Sequence, residues 1–260
     1  MPDLSPDPRE LVRRQFGAHA QNYVSSPDHS KGDSLDRLVS VVQPQPNWRV
    51  LDVATGGGHT ALALAPHVGE VMATDITGEM LAAAERFIRG KGVENVTLRE
   101  ADAMALPFAE GEFDLVTCRI APHHFPDCAR FVREAARVLR SGGVATVIDN
   151  IVPADLPAAR HINAIEQLRD PSHNWAYTQA DWLGFFAAAG LAVTHNEVFR
   201  KARDFDFWTG MMSVDEKTKD QLRVLILQAP ASALAALAPE AAGGKVRFYL
   251  TEVFVVGRKQ

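Results

Sequence analysis

Apolar positions along this chain change their spacing from segment to segment. In residues 1 to 46, Leu35, Leu38, Val39 and Val42 recur at helical spacing, and Pro44 with Pro46 ends that run. Beyond it, short apolar runs near 48–53, 69–74, 95–99, 113–117 and 143–149 alternate with helical patterns near 58–66, 78–90 and 126–140. Such alternation predicts a parallel sheet with right-handed helical crossovers. In the segment 126–140, Asp127 is placed to cap the start, Phe131, Ala135, Val138 and Leu139 form one apolar face, and Gly142 is placed to end the helix. In 78–90, Thr77 is the expected cap, and Met80, Leu81, Ala84, Phe87 and Ile88 form the face.

The pattern changes after residue 150. Ile162, Ile165 and Leu168 predict a helix, followed by the polar loop Arg169-Asp170-Pro171-Ser172-His173. Thr178 with Asp181 reads as a capping box, and Gly190 ends the helix it opens. Residues 191–198 and 246–256 read as two more strands. The alanine-rich stretch 229–242, broken by Pro230 and Pro239, reads as a helical lid or a homodimer-contact segment. The expected organisation is a helical cover over 1–46 and one α/β domain over 47–260, with helical insertions near 153–176 and 205–242.

The chemistry concentrates in Val50-Leu51-Asp52-Val53-Ala54-Thr55-Gly56-Gly57-Gly58, with Asp75 at the end of the next strand. An apolar strand running into a glycine turn and then a helix brings backbone N–H groups close to a ligand. An acid about 20 residues further on can accept both hydroxyls of a ribose. These features specify a pocket for an adenosine-containing cofactor. A dinucleotide turn reads G-x-G-x-x-G, whereas Gly56, Gly57 and Gly58 are consecutive, with the carboxylate of Asp52 just ahead. A carboxylate there would repel a pyrophosphate and suits an ammonium or sulfonium, which points to S-adenosylmethionine.

Composition narrows the setting without adding chemistry. The net charge of −5 gives no argument for nucleic acid or an anionic membrane as partner. Two cysteines, Cys118 and Cys128, are too few for a disulfide framework and have no metal-ligand spacing around them. Reduced thiols, and Met1-Pro2-Asp3 without signal-peptide character, lead to the expectation of a cytoplasmic protein without a metal.

These motifs resemble those of the class I S-adenosylmethionine-dependent methyltransferases, type 11 group, which includes the ubiquinone/menaquinone C-methyltransferases. The resemblance spans residues 13 to 200. Besides the turn it is carried by Met72-Ala73-Thr74-Asp75-Ile76, Ala101-Asp102-Ala103, Phe113-Asp114-Leu115-Val116-Thr117 and Arg137-Val138-Leu139-Arg140-Ser141-Gly142-Gly143. Phe16-Gly17-Ala18-His19-Ala20-Gln21-Asn22-Tyr23 is similar to the family's cofactor-covering segment. The resemblance implies a Rossmann-like seven-stranded sheet in the order 3-2-1-4-5-7-6, with the last strand antiparallel. It also implies cofactor contacts from Phe16, Tyr23 and Met80. Asp52, Ala54, Gly56 and Gly58 would hold the methionyl end, and Asp75 the ribose. Ile76 and Ala103 would sandwich the adenine, Asp102 would accept from its amine, and the Arg119 backbone would meet the ammonium. Ala54 replaces the first glycine of the family's D-x-G-x-G-x-G turn, an exchange expected to be tolerated as long as its φ is negative.

Methyl transfer from a sulfonium is an in-line displacement, so alignment and exclusion of water supply most of the catalysis. A base is needed only where the acceptor must lose a proton, as a phenol of pKa about 10 must. The loop Arg119-Ile120-Ala121-Pro122-His123-His124-Phe125 sits where the acceptor should be, and His123, then His124, are the candidate catalytic residues. Either could instead cap a helix or pack beneath the loop. The loop lacks the Asn/Asp-Pro-Pro-aromatic signature of amino-group methylation, so a small-molecule acceptor methylated at carbon or oxygen is expected. Arg169, Asp170 and His173, with Trp175 and Trp208, could line the acceptor pocket or form an ion-paired structural loop. His19 and His29 could face the same cleft, and residues 13–32 are expected to act as a mobile lid. Two other classes were weighed. A nicotinamide reductase is opposed by Asp52 and the lack of a Tyr-x-x-x-Lys pair, and a non-catalytic cofactor-binding protein is compatible with the same motifs.

Overall fold

The computed structural model describes residues 7–25 and 33–260, with the side chains of 18–25 and 33 outside the description. The expected roles of His19, Tyr23 and His29 therefore lie outside the described residues and side chains. The chain opens with helices α1 (Pro8–Ser25) and α2 (Asp33–Val42), then alternates: β1 (Arg49–Val53), α3 (His59–Leu64), β2 (Glu70–Asp75), α4 (Gly78–Gly90), β3 (Val96–Glu100), β4 (Phe113–Arg119), α5 (Cys128–Val138) and β5 (Leu139–Ile151). The second half contributes α6 (Leu156–Arg169), α7 (Gln179–Ala188), β6 (Leu191–Asp204), α8 (Phe205–Gly210), α9 (Glu216–Leu227), α10 (Ala231–Leu237), β7 (Glu240–Ala242) and β8 (Lys245–Lys259).

The sheet order is β3-β2-β1-β4-β5-β8-β6. The first five strands pair in parallel, and β8 lies antiparallel between β5 and β6. This is the expected order with one addition: the short β7 pairs with β8 as a hairpin, so the expected seventh strand is numbered eighth. Central strands read as continuous apolar runs because helices cover both faces, and Val50, Leu51 and Leu115 are fully buried. Chain order reverses between β1 and β4, which opens a crevice at their carboxyl ends.

Several local expectations hold at the level of caps. The Asp127 carboxylate accepts from the Arg130 N–H at 2.8 Å. Thr178 and Asp181 form the reciprocal capping box, and Gly190 follows α7 with φ 73°. Three need correction. Thr77 occupies the cap position of α4, but its hydroxyl makes no cap bond. Gly142 does not end α5, because Leu139 passes directly from the helix into β5 and Gly142 sits three residues inside that strand, next to its register shift against β4. The alanine-rich segment is no lid: Ala233 and Leu237 are buried in a cluster with Ile162, Phe205, Trp208, Leu222 and Phe248. That cluster is the core of a helical subregion built at the carboxyl end of β5. Among the described residues no helix is long and apolar enough to cross a membrane.

Candidate active site

After β1 the chain turns through three residues of positive φ: Ala54 (53°), Gly56 (55°) and Gly58 (82°). The expectation of a negative φ at Ala54 is therefore wrong. The Thr55 N–H bonds the Thr74 carbonyl at 2.7 Å, which pins the turn to β2 and forces the left-handed conformation one residue earlier. A side chain there costs about 1–2 kcal/mol. Gly58 answers a packing need, since a Cβ on it would lie 2.8 Å from Ile88 Cδ1 of α4. Gly58 and Asp52 do not line the cleft. Asp52 is fully buried behind the turn, where its carboxylate accepts from the Thr55 hydroxyl at 2.6 Å. Burial pushes the Asp52 pKa up to about 7, against the opposing pull of Thr55 and the Arg119 charge.

Ala54, Gly56, Asp75, Ile76, Met80, Asp102, Ala103 and Arg119 do converge on one cleft at the carboxyl edge of β1, β2 and β4. It encloses about 920 Å³, mouth included. Asp75 anchors it: its two carboxylate oxygens accept from the Gly56 and Thr77 N–H groups, each at 3.0 Å. Burial raises its pKa, and these backbone donors pull the other way. The Arg119 backbone ends β4 at the cleft, while its guanidinium bonds the Thr60 hydroxyl at 3.1 Å and the Ser34 hydroxyl at 3.3 Å.

Helix α1 lies across α4 and closes one side of the cleft. Arg9 Nε stands 2.9 Å from the Asp102 carboxylate. Arg13 donates to the Ile76 carbonyl at 3.3 Å. Phe16 packs on Met80 and Ala83 and meets the His124 ring edge-on at 4.9 Å. Arg9 was missed in the sequence; the signal was its i, i+4, i+7 spacing with Arg13 and Phe16, which puts all three on one helix face.

Beyond β4 lies a second chamber of about 690 Å³, lined by His123, Asn150, Glu166, Arg169, Lys201, Arg203, Phe207 and Trp208 among others. Phe16, Ile120 and His124 belong to the walls of both cavities. Ile120 holds φ 52°, an outlier for a β-branched residue, and its N–H is fixed to the Ile148 carbonyl at 2.7 Å.

A methyltransferase-domain family model matches residues 51–147. The uncharacterized methyltransferase YcgJ of Bacillus subtilis is 36% identical over 193 residues, 74% of this chain and 76% of its own length. The demethylmenaquinone methyltransferase of Thermus thermophilus is 39% identical over 115 residues, 44% of this chain and 52% of its own. The crystal structure of a Bacillus halodurans methyltransferase candidate superposes with a TM-score of 0.84 at 37% identity, covering 88% of this chain and 99% of that one. The chain is a class I, type 11 methyltransferase. Its cofactor is S-adenosylmethionine, and two solved enzymes alike in fold alone, at 18% and 13% identity, hold S-adenosylhomocysteine.

The residues of the methyltransferase fit that group. Gly56 leaves its side of the turn bare, the nearest atom to a Cβ there being Met80 Cε at 3.5 Å. Asp75, although bonded to two N–H groups, is a carboxylate with lone pairs to spare.

Beside the second chamber, the methyltransferase brings three histidines together. His123 Nδ1 lies 2.6 Å from the Asp149 carboxylate, and its ring is 4.2 Å from that of His124 and 5.5 Å from that of His173. Burial disfavours the charged form of His123, but the Asp149 charge and hydrogen bond outweigh it, and its pKa is raised. His124 bonds the Ser172 carbonyl at 3.0 Å, and His173 bonds the Asn163 side-chain oxygen at 2.8 Å. Burial, then the neighbouring charge of His123, lowers His124 to about 3 and His173 to about 2, so both stay neutral. Arg169 and Trp208 reach the second chamber, with the guanidinium 4.9 Å above the indole. Asp170, His173 and Trp175 do not line it. Asp149 was missed although it had a signal: a lone acid directly after the buried run Val144–Ile148 of β5, itself buried, must have a partner.

Proposed function

We propose that this methyltransferase methylates a small molecule at carbon or oxygen, with the acceptor seated in the second chamber and His123 as its base. The observation that carries this reading is the wall of Phe16, Ile120 and His124 common to both cavities, with the His123–Asp149 pair beside it. When bound, S-adenosylmethionine supplies an electrophilic methyl group on its sulfonium. Asp75 would accept the ribose hydroxyls, Ile76 and Ala103 would flank the adenine, Asp102 would face its amine, and the Ala54–Gly56 backbone would hold the methionyl end. Asp52 and Gly58 act at one remove, by holding the turn in shape.

His123 donates its Nδ1 proton to Asp149, which fixes the ring and leaves Nε2 as the nitrogen that takes a proton from the acceptor. His124 has its Nδ1 committed to the Ser172 carbonyl and is held neutral, so it shapes the wall rather than storing charge. Phe16, on the covering helix, excludes water at the junction. Relatives named for demethylmenaquinone support a small-molecule acceptor. Labelled methyl transfer from S-adenosylmethionine to a panel of small phenols, enols and amines tests the reading. Label in phenols or enols, with His123→Gln strongly impaired, supports it. Label in amines alone, or a His123→Gln enzyme as fast as wild type, overturns it.

A further inference from the structure

We infer that the acceptor is anionic, and that its carboxylate or phosphate is gripped by Arg169 beside Trp208. The inference rests on the proposal that the second chamber is the acceptor site, and it names the chemistry that chamber selects. The cationic groups on its wall are Arg169, Lys201 and Arg203, joined by His123, against one lining carboxylate, Glu166. The other acids nearby lie behind the wall: Asp149 is committed to His123, and Glu252 is paired with Arg203 at 3.2 Å.

Arg169 distinguishes the site. Its side chain is 15% exposed, yet its Nε has no hydrogen-bond partner among the described residues. Its acidic neighbours stand off, Glu166 at 3.8 Å and Asp170 at 4.0 Å. A buried guanidinium ordinarily has its planar fork of donors satisfied at close range, because leaving them unmade costs more than the bonds return. Trp208, whose ring centroid lies 4.9 Å from the guanidinium carbon, carries a second buried donor without a partner among the described residues, its indole Nε1. A carboxylate or phosphate supplies acceptors for such donors, and the guanidinium fork matches it bidentately. A neutral isoprenoid chain supplies none. Asn150 Oδ1 and Glu166 Oε1, on residues that line the same chamber, are buried acceptors without partners among the described residues. A hydrogen-bond donor on the same molecule, such as a hydroxyl, would satisfy them. Phe207, Met211 and Leu250 give the chamber apolar surface.

The test uses the full chain loaded with S-adenosylhomocysteine and follows the Trp208 indole N–H signal by NMR, assigned with Trp208→Phe. The probes are 4-hydroxybenzoate, phenyl phosphate and the neutral 4-hydroxybenzamide. We expect at least one anion to shift the signal with a Kd about 10-fold or more below that of the amide, a gap of about 1.4 kcal/mol. Which anion wins decides between carboxylate and phosphate. Arg169→Met should erase the preference and Arg169→Lys should keep part of it, with S-adenosylhomocysteine affinity reporting that each variant is folded. If the amide moves the signal as readily as the anions, the anionic inference is overturned and the chamber remains an acceptor site. If none of the probes moves it while the labelled-transfer assay still finds an acceptor, the assignment of the chamber itself falls. The wild-type titrations decide the matter alone should the variants not fold.

Discussion

The two chambers are made of different material. The cofactor cleft is set by backbone geometry: a turn with three positive φ values, N–H groups aimed at Asp75, and the ends of three parallel strands. The second chamber, the proposed acceptor site, is set by side chains drawn from α1, the β4 loop, β5, α6, β6, α8 and β8. Backbone features tolerate few alternatives, because a positive φ or a close approach admits few residues. A side-chain wall can be rebuilt position by position while the sheet stays as it is.

The comparison is tested most severely at His123. His123→Gln should lower kcat by about 10²–10⁴-fold on an acceptor that must lose a proton, with cofactor affinity unchanged. Asp149, Glu166, Asp170, His124 and His173 are the titratable groups that face it or act on it. Because the neutral ring is the base and its pKa is raised above 6.5, kcat in the wild type should climb with pH on a limb centred above 6.5. Asp149→Asn should move that limb to lower pH. In stability the sign reverses: the pairing with Asp149 is fully felt below pH 6.5 and fades as pH rises through the raised value. A pH-independent kcat would deny His123 its role and leave the chamber with shape alone.

Next in size is Asp75→Ala. It should weaken S-adenosylhomocysteine binding about 10-fold or more, by about 1.4 kcal/mol, in calorimetric titration. An unchanged Kd in a folded variant would mean that Asp75 serves only the Gly56 and Thr77 N–H groups. Arg9→Ala should cost less, at most about 5-fold in cofactor affinity, because the pair with Asp102 is partly exposed and such pairs contribute under about 1 kcal/mol. Hydrogen exchange over α1 checks the same point, since protection of residues 8–17 should rise with S-adenosylhomocysteine if the helix closes on it. The smallest effect belongs to Ala54→Gly. Relief of the left-handed strain, offset by glycine's greater freedom in the unfolded chain, should leave a gain of up to about 1 kcal/mol, or about 2–4 °C in Tm. A drop in Tm would show that the Ala54 methyl group is packed rather than strained.

Most of the cofactor cleft was legible in the sequence, since strand, turn and acid are contiguous and their spacing is fixed by the βαβ unit. The sheet order was legible through the same alternation. The backbone angle at Ala54 was not, because it depends on the hydrogen bond from Thr55 to Thr74 across the neighbouring strand. Nor was the burial of Asp52, since a carboxylate before a glycine turn can face the ligand or the helix behind it. The acceptor chamber was legible only in pieces. His123, Arg169 and Trp208 could be nominated as polar or aromatic residues in loops and helices. Their meeting with Asn150, Lys201 and Arg203 depends on how α6 and α8 fold back over β5, β6 and β8, which local patterns do not encode. The alanine-rich stretch misled for a related reason: small residues let α10 pack closely on α6, which from sequence looks the same as a mobile cover.

The strained wall residue between the chambers has an evolutionary consequence. Ile120 forfeits about 1–2 kcal/mol to its left-handed backbone, and exchanging it for glycine would surrender a similar amount of apolar burial. Those two quantities nearly cancel. Widening the partition is thus close to free, and a broader acceptor range is one nearly neutral substitution away.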